Sequence, residues 1–183
     1  MLVTRRAEIL IKADPEQIWD FVNDPAQWMA SNPEEHFGTE FFTPDKKAAT
    51  GGRFYQRESV AGVRADMKGH FLHVDRPSSV SWTGVAEYRL LAGLLRFRVP
   101  QSGVVKLETR ADGVMASHEM FIDFPDTWLG KLIARYLTRS RNVERRLYEH
   151  GQKELVYFKT QIERLGNPGV APNTAPNAQS LGR

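Results

Sequence analysis

The first thirty-three residues constrain this chain more than any other stretch. Arg5, Ala7, Ile9 and Ile11 share one parity of a strand, and Asp14-Pro15-Glu16 then opens a helix carrying Ile18, Trp19, Phe21 and Val22. Asp24-Pro25 opens a second short helix with Trp28 and Met29, which Asn32-Pro33 closes. Asp before Pro is a strong helix start: the carboxylate accepts from orphan N–H groups, and proline brings a preset φ to the first helical position. Two such starts, ten residues apart, make a strand–helix–helix lead-in with which few folds begin.

With 183 residues the chain suits one domain, large enough to bury a core and leave a cavity in it. Cysteine is absent, which excludes disulfides, cysteine zinc sites and thiol nucleophiles. There is no apolar leader and no run of the ~18–20 apolar residues that a spanning helix needs, so a cytoplasmic location is expected. The net charge of +3 is uneven. Basic residues gather between Lys131 and Arg164, with Arg135–Arg146 the densest part. No nucleic-acid-reading motif accompanies them, so a solvated helix face is expected and no nucleic-acid partner.

The middle of the chain is punctuated like an antiparallel sheet. Strand candidates run over 36–43, 53–60, 63–74, 79–88, 94–99, 104–109 and 114–124, with turn signals at Ala61-Gly62, Asp75-Arg76-Pro77-Ser78 and Asp112-Gly113. Pro100-Gln101-Ser102-Gly103 is either a turn or an irregularity within one long strand, which leaves six or seven strands after the helix pair. From Leu129 to Leu165 the apolar residues keep a three-to-four spacing. One straight helix over that segment would be about 60 Å long. A domain of this size is roughly 40 Å across. A break is therefore expected near 138–142, giving a short helix near 127–138 and a main helix near 142–165. Residues 166–183, rich in Pro, Asn and Ala, have almost nothing to bury and are expected to form a disordered tail beyond a single domain of 1–165.

This order resembles the START-like superfamily, also called SRPBCC, and within it the polyketide cyclase/dehydrase-like branch. The carrying residues are the run from Ile11 to Trp28, Gly52 with Phe54, His73 to Trp82, and the helical end Asn142–Arg164. The resemblance implies an α+β helix-grip fold: an antiparallel sheet of about seven strands curved around a long C-terminal helix, with two short helices after the first strand. It also implies an apolar cavity between sheet and helix.

Strand alternation suggests what faces that cavity. Val114, Ala116, His118, Met120 and Ile122 share one face, as do Val63, Ala65, Met67, Gly69, Phe71 and His73, and likewise Val80, Trp82, Gly84, Ala86 and Tyr88. Met67, Phe71, Trp82, Tyr88, His118 and Met120 are thus the expected ligand-contacting residues. His118 is either an anchor for a ligand or a packed core residue. Glu58 is expected at an edge or paired with Arg57 or Arg64. Gly151 falls in the apolar stripe of the main helix, where either a gap over the cavity or close helix–sheet contact would explain it.

No spacing marks a metal site: His70 and His73 are three apart in a strand candidate and point to opposite faces. Phosphate loops, dinucleotide fingerprints and the serine-hydrolase elbow are also absent, so neither a metal nor a cofactor is expected. The leading function is binding of a small hydrophobic or lipid-like ligand in the cavity. A cyclase or dehydratase acting on a cyclic or poly-keto substrate is the alternative, with His118 and either Glu58 or Tyr88 as its only polar candidates. A protein-interaction module is a third reading.

Overall fold

The structure, a computed structural model, describes residues 1–60, 62–90, 95–140 and 142–166. Its elements follow in the order β1 (Leu2–Ile11), α1 (Pro15–Val22), α2 (Pro25–Ser31), β2 (His36–Phe42), β3 (Arg53–Val60), β4 (Val63–Asp75), β5 (Ser79–Leu90), β6 (Leu95–Arg110), β7 (Gly113–Asp123), α3 (Trp128–Ser140) and α4 (Val143–Gly166). The tail expectation concerns 167–183, outside the described residues; Gly166 itself still belongs to α4.

Both Asp-Pro starts behave as N-caps. The Asp14 carboxylate accepts from the Glu16 N–H at 2.9 Å, and that of Asp24 accepts from the Ala26 N–H at 2.8 Å. Each satisfies one donor that the first helical turn leaves orphaned. Ile18, Trp19 and Val22 of α1 are buried, while Phe21 is half-buried against the rings of Tyr157 and Phe158.

The seven strands form one sheet in the order β1-β7-β6-β5-β4-β3-β2, with every neighbouring pair antiparallel. The β3–β4 hairpin turns at Gly62, whose φ of 75° suits a residue without Cβ. Pro100 lies within the single long strand β6, opposite Val85 of β5 and one residue before pairing with β7 begins at Gln101. A residue without an N–H is tolerated where the ladder on one side has run out.

Helix α4 packs against β1 and β7 at one side of the sheet and also reaches β3 near the other, so the sheet curls around it. The break before α4 occurs at Asn142, with φ 51°, and the Arg146 N–H already donates to the Asn142 carbonyl. Gly151 is explained by close contact: a Cβ there would lie 2.9 Å from the Met120 methyl and 3.2 Å from the Ala7 Cβ. No helix among the described residues is long and apolar enough to cross a membrane.

Candidate functional site

Between the sheet and α4 lies a cavity of about 80 Å³. Its walls are mainly apolar, with Phe41, Phe54, Met67, Phe71, Trp82 and Met120 among them, and one end is polar. Five of the six expected contact residues line it: Met67, Phe71, Trp82, His118 and Met120. Tyr88 does not. It is buried one step away, and its hydroxyl accepts a hydrogen bond from Gln101, which does line the cavity. Burial and the nearby Glu58 charge push the Tyr88 phenol well up, so it stays neutral.

His73 departs from its expected inward position. The β4–β5 register shifts between Phe71 and His73, which inverts the alternation: Leu72 and His73 are exposed, and Val74 packs on the core instead. Glu58 also departs from expectation. Instead of lying at an edge with an arginine, it is 5% exposed on the inward face shared by Phe54 and Gln56, and it accepts from the Gln56 amide at 2.8 Å. Arg57 pairs with Asp66 on the opposite face.

The polar end is assembled from three separate parts of the chain. After α2 the backbone turns tightly at Asn32, whose carbonyl accepts from the N–H groups of both Glu35 and His36. This turn delivers Asn32, Glu35 and His36 together at the start of β2. His118 comes from the inward face of β7. His150 and Glu154, one helical turn apart, come from the buried stripe of α4 that also carries Leu147, Gly151, Leu155 and Phe158.

Glu154 is the hub. Only 1% exposed, it accepts from His118 Nδ1 at 2.9 Å through Oε2, while its Oε1 lies 3.1 Å from His150 Nε2 and 3.3 Å from His36 Nε2. The two Nε2 atoms are themselves 3.3 Å apart. Each ring is also held from behind. His36 Nδ1 donates to the Trp28 carbonyl at 2.6 Å, and His150 Nδ1 donates to the Glu35 carboxylate at 2.8 Å. Asn32 Nδ2 steadies Glu35 with a 2.6 Å hydrogen bond.

Electrostatics follow from this packing. Burial favours a neutral Glu154, but the charge of His150 and the hydrogen bond from His118 outweigh it and hold the carboxyl well below its usual range. Burial likewise disfavours charge on His150. The charge and hydrogen bond of Glu154, with the hydrogen bond to Glu35, win and raise it well above 6.5. His36 is raised by the same contest, burial against the Glu154 hydrogen bond and charge. Glu58 shows the opposite balance: burial dominates and its carboxyl is pushed up. Opposed shifts on two carboxyls beside a cavity, Glu58 up and Glu154 down, occur both at working sites and in structural ion-pair networks.

Two buried polar atoms among the described residues have no hydrogen-bond partner, Thr39 Oγ1 and His118 Nε2, and both belong to residues lining the cavity. Because His118 Nδ1 faces an ionised carboxylate it carries the proton, and in the neutral ring Nε2 is left as a bare acceptor. An unmatched buried acceptor costs about 1–3 kcal/mol unless something fills it.

His36, His150, Glu154, Glu35 and Asn32 were missed by sequence reasoning. One signal for them was present: His150 and Glu154 fall four apart within an otherwise apolar helical stripe, where a carboxylate must have partners.

No protein-family model and no curated protein matches the chain. Solved structures do. The di-domain ARO/CYC StfQ from the steffimycin biosynthetic pathway superposes with a TM-score of 0.63 at 11% identity, over 91% of this chain and 52% of that one. Protein CV1439 from Chromobacterium violaceum gives 0.58 at 15% identity, over 88% and 98%. Ara h 8.0201 gives 0.53 at 12% identity, over 91% and 100%. At such identities the likeness is one of fold, and the fold is the helix grip that the sequence resemblance implied.

Proposed function

We propose that this chain binds a compact ligand, apolar over most of its surface and carrying one hydrogen-bond donor such as a hydroxyl, in the cavity between the sheet and α4. The observation that carries this reading is the pair of unmatched polar atoms, His118 Nε2 and Thr39 Oγ1, both on residues lining an otherwise apolar cavity. The ligand's apolar body would face Met67, Phe71, Trp82 and Met120, and its donor would meet His118 Nε2. Volume argues for something small. About 80 Å³ is well under the roughly 300–1,000 Å³ of drug-sized pockets, so an acyl chain would require the helix to lift from the sheet. A single ring fits better, with the flexible side chains of Met67 and Met120 yielding around it.

Phenol and toluene, matched in size and differing by one hydroxyl, test this reading. Binding is followed by shifts of the Met67 and Met120 methyl resonances. Phenol is expected to bind more tightly than toluene. In His118→Gln phenol affinity should fall by the ~1–3 kcal/mol of one buried hydrogen bond, or about 5–150-fold, with toluene unaffected. Equal affinities in the wild type would refute the role of His118, and no binding of either would refute the cavity.

One observation favours a second reading, a cyclase- or dehydratase-type enzyme. Glu154 orients His118 so that its bare Nε2 lies at the polar end of the cavity, the arrangement a general base needs. A substrate whose turnover falls roughly 10²–10⁴-fold in His118→Gln with binding intact would establish it.

A further inference from the structure

The convergence of His36, His150 and Glu154 has a consequence beyond ligand binding. The Trp28 carbonyl can only accept, so His36 carries its proton on Nδ1; the Glu35 carboxylate imposes the same on His150. In their neutral forms both rings therefore turn a bare Nε2 inward, toward a carboxylate oxygen. Three acceptor atoms then face one another across 3.1, 3.3 and 3.3 Å with no hydrogen between them. With both rings neutral, that triangle calls for a cation at its centre; a proton on one Nε2 is the other occupant, and a metal ion would displace it.

We propose that His36 Nε2, His150 Nε2 and Glu154 Oε1 bind a first-row transition dication of the Zn²⁺ or Fe²⁺ kind. The size is right. With metal–nitrogen distances of about 2.0–2.1 Å, the ligand atoms of a tetrahedral site stand about 3.3–3.4 Å apart. The donor set is right as well: two imidazoles and a carboxylate suit borderline ions, whereas Mg²⁺ and Ca²⁺ prefer oxygen throughout. Three protein ligands leave a further position for solvent, as in catalytic rather than structural sites.

The surroundings agree. Each ring is oriented by a hydrogen bond from its far nitrogen, and Glu154 is oriented by His118 through the oxygen it does not offer the ion. Three carboxylates, Glu35, Glu58 and Glu154, crowd this end of the cavity, and among the described residues none of them accepts a hydrogen bond from a lysine or arginine. With His36 and His150 neutral as metal ligands, a dication would take over the charge that their protons otherwise supply to these carboxylates. On its outer side His150 borders a cleft that it shares with Glu35 and Glu149 and with Arg145, Arg146 and Lys153.

The test uses the full-length, tag-free chain, stripped with a chelator and titrated with Zn²⁺ and Co²⁺ by calorimetry. One equivalent of each is expected, Co²⁺ should develop the visible bands of a low-coordinate site, and X-ray absorption should find two imidazoles around the metal. Elemental analysis of protein as purified identifies the natural ion. His36→Gln and His150→Gln should lose the equivalent, while His70→Gln and His73→Gln, at exposed positions, should keep it. Failure of the wild type to take up stoichiometric metal, uptake that survives in His36→Gln and His150→Gln, or a metal shell without imidazole would each overturn the proposal. The X-ray absorption result decides if the variants do not fold. Phenol binding by the chelated protein is scored separately: phenol binding without metal uptake defeats this inference alone, and metal uptake without phenol binding defeats the ligand reading alone.

Discussion

Replacing Glu58 by Gln should stabilise the chelated protein at neutral and alkaline pH. Glu58 is 5% exposed and among the described residues accepts only the Gln56 amide hydrogen bond, so its ionised form is poorly compensated. Burial outweighs the attraction of His150 and His36, and the folded-state carboxyl titrates above 4.5. The folded state thus holds this proton more tightly than the unfolded chain does. The stability so conferred is full below about pH 4.5 and is lost as pH rises through the raised folded value. Glutamine keeps the size and the acceptor for Gln56 but has no charge to desolvate. The gain should be on the order of 1–3 kcal/mol, the usual cost of an incompletely satisfied buried group. For a domain of this length that is a rise in Tm of roughly 2–12 °C. Melting curves of both proteins from pH 4.5 to 8.5, with chelator present throughout, should coincide at the acid end and separate as pH rises. A variant that melts below the wild type at pH 8 would refute the reasoning, because it would mean that the histidines compensate Glu58 fully.

Phe158→Ala should cost about 3–5 kcal/mol in equilibrium urea unfolding, since Phe158 is 1% exposed and meets the rings of Phe21, Trp28 and Tyr157. Asp14→Ala and Asp24→Ala should each cost about 1 kcal/mol by the same measurement and add when combined, because each removes one cap from a different helix. Truncation after Gly166 should leave the melting temperature unchanged, as the composition of 167–183 offers nothing to bury; a fall of several degrees would show that the segment docks.

The order of elements was written locally and could be read without the fold. The two Asp-Pro caps, the turn signals and the change from alternating to three-to-four spacing each report on a few neighbouring residues, and physics at that range is strong. The inward face of β7 was legible for the same reason, which put His118 and Met120 at the cavity. Local reading failed where the chain breaks its own period: the shift after Phe71 moved His73 outward, and mixed alternation in β3 hid Glu58. The polar end lay further still from view. His36 and His150 are separated by 114 positions, and His118 and Glu154 by 36. Each looks unremarkable beside its own neighbours. Only the curl of the sheet around α4 brings their nitrogens and the Glu154 carboxylate within about 3 Å, because contact between distant segments depends on the path of the whole chain and not on any local spacing.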